Sequence, residues 1–219
     1  MKTKTKTKLF LSMLTIAIGF TACTKDSPDP VETVITETIT ELDATAETFV
    51  STQFGPLITG EFTKFSFSEG GVVEGDNWDV AFRSSKIIVN GGSDADTSQP
   101  NRNGEAAAYI IDGEMSEITS VDIELLMQDG SNQSMYGTTA IIDDFGQDDL
   151  GWSHYNDANP QAPVLEALAG KILVFRTHDG SHYAKVEILN FYDATFTNPY
   201  GGFYTFNYVY QSEAEVTTF

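Results

Sequence analysis

The chain has 219 residues, 32 acidic and 12 basic, for a net charge of −20. That balance excludes nucleic acid and anionic lipid surfaces as partners, because both are held through Lys and Arg neutralising phosphate. With 41% hydrophobic and 12% aromatic residues, there is apolar material for one domain of about 170 residues. The single cysteine rules out an internal disulfide.

Met1–Lys8 alternates lysine with threonine, and Leu9–Phe20 is an uncharged, mostly apolar run. Twelve residues are too few to span a bilayer, which needs about twenty. A basic head, a short apolar core and small residues before a cut site make a secretory signal. Here Thr21 and Ala22 precede the only cysteine, Cys23, as in a bacterial lipobox, although Phe20 stands where leucine is usual. Lipidation of Cys23 explains an odd cysteine in an exported chain and makes the acyl anchor the only attachment to the membrane. The acidic "TKDSPDP" that follows resembles a surface-export signal, so an outer-membrane, cell-surface location is expected. The reading is a signal peptide over 1–22, an anchor and tether over 23–41 that includes the Thr/Glu-rich Val31–Glu41, and a domain over 42–219. Removing the four signal lysines takes the net charge from −20 to −24.

Beyond the tether the dominant pattern is period-two alternation, the mark of half-buried strands. Gly60–Gly70 places Phe65 and Phe67 on one face. Trp78–Val89 places Trp78, Val80 and Phe82 on one side, with Asp79, Ala81 and Arg83 on the other. Ala106–Asp112 is a short strand, and Val121–Gly130 is ambiguous between strand and helical turn. Lys171–Thr177 is apolar on both faces, as a central strand would be. Tyr183–Asp193 aligns Ala184, Val186 and Ile188, and Gly201–Gln211 aligns Tyr204, Phe206, Tyr208 and Tyr210. Glycine-containing turns separate these runs, and "RTHDGSHYAKVEI" reads as a hairpin with Asp179-Gly180 at its tip. The expected fold is a single, all-β, mostly antiparallel domain with two long polar loops, Gly91–Glu105 and Asp129–Pro163.

No G-x-S-x-G, H-E-x-x-H, P-loop or G-x-G-x-x-G occurs, and no thiol remains once Cys23 is acylated. A non-enzymatic role is expected. Asp94–Glu105 has the length of an EF-hand loop, with Asp94, Asp96, Ser98 and Glu105 at ligand positions. Gln99 occupies the place that needs glycine, however, and no helices flank it, so it reads as a solvated acidic loop with calcium a lesser possibility. The histidines are His154, His178 and His182. The last two flank the hairpin tip, where they could approach across the strands and hold zinc. His154 lies in the second long loop between Trp152 and Tyr155, and Met135 is an apolar residue in the same polar loop. Imidazole and thioether are the side chains that ligate haem iron from both sides.

"NWDVAFR", "IIVNGG", "GW", "RT" with its "DG" turn, "YAKVEI" and "YGGFYTFNYVY", in that order over Asp76–Gln211, resemble the HmuY family of surface lipoproteins of Gram-negative anaerobes, the best known of which are haemophores. The resemblance implies an all-β fold like a cupped hand, haem gripped between loops by two His or Met ligands, iron acquisition by handover to an outer-membrane haem receptor, and no catalysis. Under it Met135 and His154 are the candidate axial ligands, with Met127, His178 and His182 as alternates and Tyr136, Trp152 and Tyr155 as pocket walls. The tip carries an extra residue and two histidines relative to the family pattern, and basic partners for haem propionates are scarce. A non-haem surface or adhesion module that recognises glycan through Tyr204/Phe206/Tyr208/Tyr210, or a partner protein, is the alternative.

Overall fold

A computed structural model of the chain describes residues 33–52, 55–93, 98–131, 139–142, 150–156, 158 and 164–219. Among them are thirteen strands and no helix. A five-stranded antiparallel sheet has the order β1 (Val34–Asp43), β13 (Phe203–Gln211), β12 (Tyr183–Asn190), β11 (Lys171–Arg176), β8 (Ala107–Asp112). A four-stranded sheet runs β5 (Gly71–Val72), β4 (Thr63–Ser66), β6 (Val80–Arg83), β7 (Lys86–Val89). Two ribbons complete the set: β2 (Thr48–Thr52) with β3 (Gly55–Thr59), and β9 (Ser153–Asn156) with β10 (Val164–Ala167).

The two large sheets face each other across one core. Alternation on β13 sends Tyr204, Phe206, Tyr208 and Tyr210 inward, where they meet Phe65, Phe67, Val80 and Phe82 of the smaller sheet. Phe65 lies edge-on to Phe206 and Tyr208, at centroid distances of 5.5 and 5.9 Å, a geometry worth about 0.5–1.5 kcal/mol per pair beyond area burial. This aromatic row is therefore core and offers no platform for a sugar. Leu173 and Phe175 join the same core, whereas Ile172 and Val174 on the reverse of β11 pack with Tyr109, Val121 and Tyr183 under the segment after β8. Both faces of β11 are thus buried, as its unbroken apolar run requires.

The hairpin tip forms as expected, with Arg176 opposite Tyr183 and Gly180 at φ 81°. Three segments differ from the sequence reading. Val31–Glu41, expected as tether, supplies most of β1, which pairs along β13 from Val34↔Gln211 to Asp43↔Phe203. Trp78–Val89 is a hairpin rather than one strand: β6 and β7 turn at Ser84-Ser85, with Ser84 at φ 50°. Trp78 precedes β6 and joins Ala81 and Ile88 in a separate cluster, not Val80 and Phe82. The Asp129–Pro163 stretch is not all loop, because it contains β9. Val121–Gly130 forms turns, with one antiparallel bridge between Met127 and Ala108.

Candidate functional site

The β9–β10 ribbon presents His154. Register puts it directly opposite Glu166, and Asn156 Nδ2 donates to Glu166 Oε1 at 3.1 Å. His154, Asn156 and Glu166 thus share the outward face. The other face holds Leu165 and Ala167 against the core, and the Leu165 N–H donates to the Tyr192 hydroxyl at 3.0 Å. Trp152, just before β9, is 1% exposed. Its ring lies 5.4 Å from both Phe191 and Tyr204, and Nε1–H donates to the Ser85 carbonyl at 3.2 Å. Expected as a pocket wall, Trp152 is instead a core residue pinning the ribbon. Tyr155 is 45% exposed, but as the neighbour of His154 in a strand it points to the opposite face.

Met135, Tyr136 and Cys23 lie outside the described residues, as do Asp94 and Asp96 of the EF-hand-length loop. Ser98 Oγ accepts from Arg83. The alternate ligands fall far from His154. The ribbon touches Phe191 and Tyr192, just beyond the Asn190 end of β12, whereas the His178/His182 tip precedes Tyr183 at the other end. The eight residues of β12 separate the two by about 23 Å at 3.3 Å per residue. Met127 pairs with Ala108, which is in register through Phe175 with Ala184, and so sits near the tip end. His154 therefore shares no iron with any of these three.

Nor do the tip histidines turn to a common metal. His178 donates its backbone N–H to Asp79 Oδ1 at 2.8 Å, and its Nδ1 lies 2.7 Å from the same oxygen. His182 Nδ1 lies 2.7 Å from Asp179 Oδ2. No group of three His, Cys, Asp or Glu converges as metal ligands among the described residues. Asp79, 1% exposed, also accepts from the Phe67 N–H at 2.8 Å, so one carboxylate ties the hairpin tip of the large sheet to the small sheet. The bond to Asp79 raises His178 above its ordinary 6.5, against desolvation that lowers it. A raised value in the fold means the pairing stabilises fully below 6.5 and is lost as pH rises through the folded-state value. In denaturant melts, the stability advantage of the wild type over His178→Gln is expected at about pH 5.5 and should shrink by about pH 9. An advantage that grows with pH would contradict the pairing.

A second buried carboxylate closes the base of the excursion that leads towards β9. Asp129 accepts from the N–H groups of Ala140 (2.8 Å) and Val89 (3.0 Å) and from Arg102 Nη2 (3.0 Å), with both partners of the ion pair 2% exposed. Burial raises its carboxyl above the ordinary range even against these donors. Asp79, Asp129 and Glu166 were not separable by sequence reasoning from 32 acidic residues. The one signal was position: Asp79 interrupts a buried alternating run, and Asp129 precedes the turn glycine Gly130.

Two facing antiparallel sheets, flanked by two short ribbons and joined by long connections, define an all-β domain. The HmuY protein family model matches residues 59–208. The chain belongs to the HmuY family, as the motif order over Asp76–Gln211 implied. Among solved structures, it is similar to an apo HmuY analog from Tannerella forsythia (20% identity, TM-score 0.47, covering 84% of this chain and all of that one). It is also similar to a candidate lipoprotein from Bacteroides fragilis (15% identity, TM-score 0.41, covering 84% of this chain and 93% of that one). No curated protein matches. Among the described residues no helix is long and apolar enough to cross a membrane.

Proposed function

We propose that this chain is a non-enzymatic lipoprotein of the outer-membrane surface, anchored through Cys23, that binds haem and hands it to an outer-membrane receptor. The observation that carries the reading is membership of the HmuY family over residues 59–208. The position of His154, opposite Glu166 on a ribbon pinned by Trp152, supports it. His154 would supply one axial ligand and Met135 the other, with Tyr136 near the porphyrin; Tyr155, on the opposite face of the strand, would not wall this site. The carboxylate of Glu166 opposite His154 would repel propionates at this face, so the propionate edge would point away from the ribbon.

Haemin titrated into the purified chain should give a sharpened Soret band. His154→Ala should weaken binding by about tenfold or more. A haemin spectrum unchanged by the protein would reject the reading. The same Soret band in wild type and His154→Ala would move the ligand elsewhere.

A further inference from the structure

The face of the five-stranded sheet turned away from the core carries an open groove of about 600 Å³ beside β8. Tyr109 and Ile111 of β8 form its floor, and the segment from Glu117 to Leu125 forms its wall and rim. On that rim two large apolar side chains stand in water: Ile123 is 60% exposed and Leu125 47%. Met127, 37% exposed, continues the strip. Three exposed carboxylates, Glu117, Asp122 and Glu124, alternate with these groups, and no Lys or Arg lines the groove.

The wall is fixed rather than draped. Lys185, 5% exposed, reaches from β12 to donate to the carbonyls of Met115 (2.8 Å) and Ile118 (2.7 Å). The Asp122 N–H donates to the Tyr109 hydroxyl at 3.0 Å. The N–H groups of Val121 and Phe219 reach the carbonyls of Thr217 and Thr119. The groove is therefore formed before anything enters it, as binding sites usually are, and scattered single apolar residues do not account for a strip set in a cleft.

We propose that this groove docks a basic segment of a partner protein: an extended stretch of chain in which apolar side chains alternate with Lys or Arg. The apolar groups would cover Ile123 and Leu125, and the cations would meet the three carboxylates. Charge complementarity selects this occupant. Haem propionates, anionic lipid headgroups and nucleic acid are all repelled by the rim, and a second copy of a chain with net charge −20 brings the wrong sign. The inference rests on this surface alone and stands whether or not haem binds near His154.

The test uses the full chain and a synthetic decapeptide of alternating lysine and leucine, with glutamate–leucine and lysine–serine decapeptides as controls, followed by amide chemical shifts and fluorescence anisotropy. The lysine–leucine peptide should bind at least about tenfold tighter than either control, should weaken as salt rises, and should shift amides between residues 117 and 127. Ile123→Ser/Leu125→Ser should lose about tenfold in affinity with melting unchanged, since both side chains are exposed. Glu117→Gln/Glu124→Gln should flatten the salt dependence. Equal binding of the glutamate–leucine peptide, shifts confined to another surface, or unaltered affinity in the double serine variant would each overturn the proposal. So would a wild-type dimer that Ile123→Ser/Leu125→Ser dissociates, or co-sedimentation with phosphatidylglycerol vesicles that the same variant abolishes, because either names a different occupant.

Discussion

Trp152→Ala is expected to destabilise the fold by about 3–5 kcal/mol, the range for deleting a large buried aromatic. The indole fills the space between Phe191 and Tyr204 and satisfies the Ser85 carbonyl. Truncation therefore opens a cavity where the β9–β10 ribbon meets the core and leaves that carbonyl without its donor. Chemical denaturation read by far-UV circular dichroism measures the loss. The experiment also separates two roles for the same residue. Were Trp152 a wall of a ligand pocket, alanine would weaken ligand binding at unchanged stability. As a core residue it should lower stability first, with any loss of haem affinity following from a displaced His154. Trp152→Phe should recover part of the loss, since it refills volume but not the hydrogen bond.

Asp129→Ala is expected to cost a similar amount, about 3–5 kcal/mol, the usual result of stripping one partner from a buried ion pair. The guanidinium of Arg102 would remain 2% exposed and uncompensated, and the N–H groups of Val89 and Ala140 would lose their acceptor. The ion pair itself need not be a net source of stability, since burial raises the Asp129 carboxyl in spite of its donors. The double variant Arg102→Met/Asp129→Asn should accordingly be more stable than Asp129→Ala, because it removes the bare cation and keeps one acceptor oxygen for the amides. A cycle of these variants in urea checks the order. If Asp129→Ala proved as stable as the wild type, the carboxylate would not be holding the two excursions to β7.

Where the chain alternates large apolar and polar residues, the strands were legible from the sequence: β4, β12 and β13 fall within runs identified from their period, whereas β11 was legible as an unbroken apolar run and β8 as a short strand. β1 was not, because "VITETITELD" spends its alternation on Thr and Glu. It is a sheet-edge strand, and only Leu42 within it is fully buried. β9 was hidden for a different reason. Ser-His-Tyr-Asn has no apolar period, and the strand exists because β10 pairs with it and Trp152 pins its start. The Ser84-Ser85 turn carries no Gly, Pro or Asn to mark it. Trp152 shows the limit for the site, since an aromatic beside a candidate ligand reads the same whether it walls a pocket or fills a core. The groove beside β8 was equally unreadable, because it depends on Lys185 reaching across from a distant strand to hold the wall.

The pairing of β1 with β13 joins residues as far apart as Thr38 and Asn207, whose side chains hydrogen-bond across a separation of 169 positions. Contacts of such long range slow folding towards the millisecond-to-second regime of β-rich topologies. β13 is also no trim on the edge, since it lies between β1 and β12 and carries four of the core aromatics. The strand that joins β1 to the rest of the sheet is thus the thirteenth in chain order, so β1, the first of the described strands, has no partner in this sheet until β13 is present.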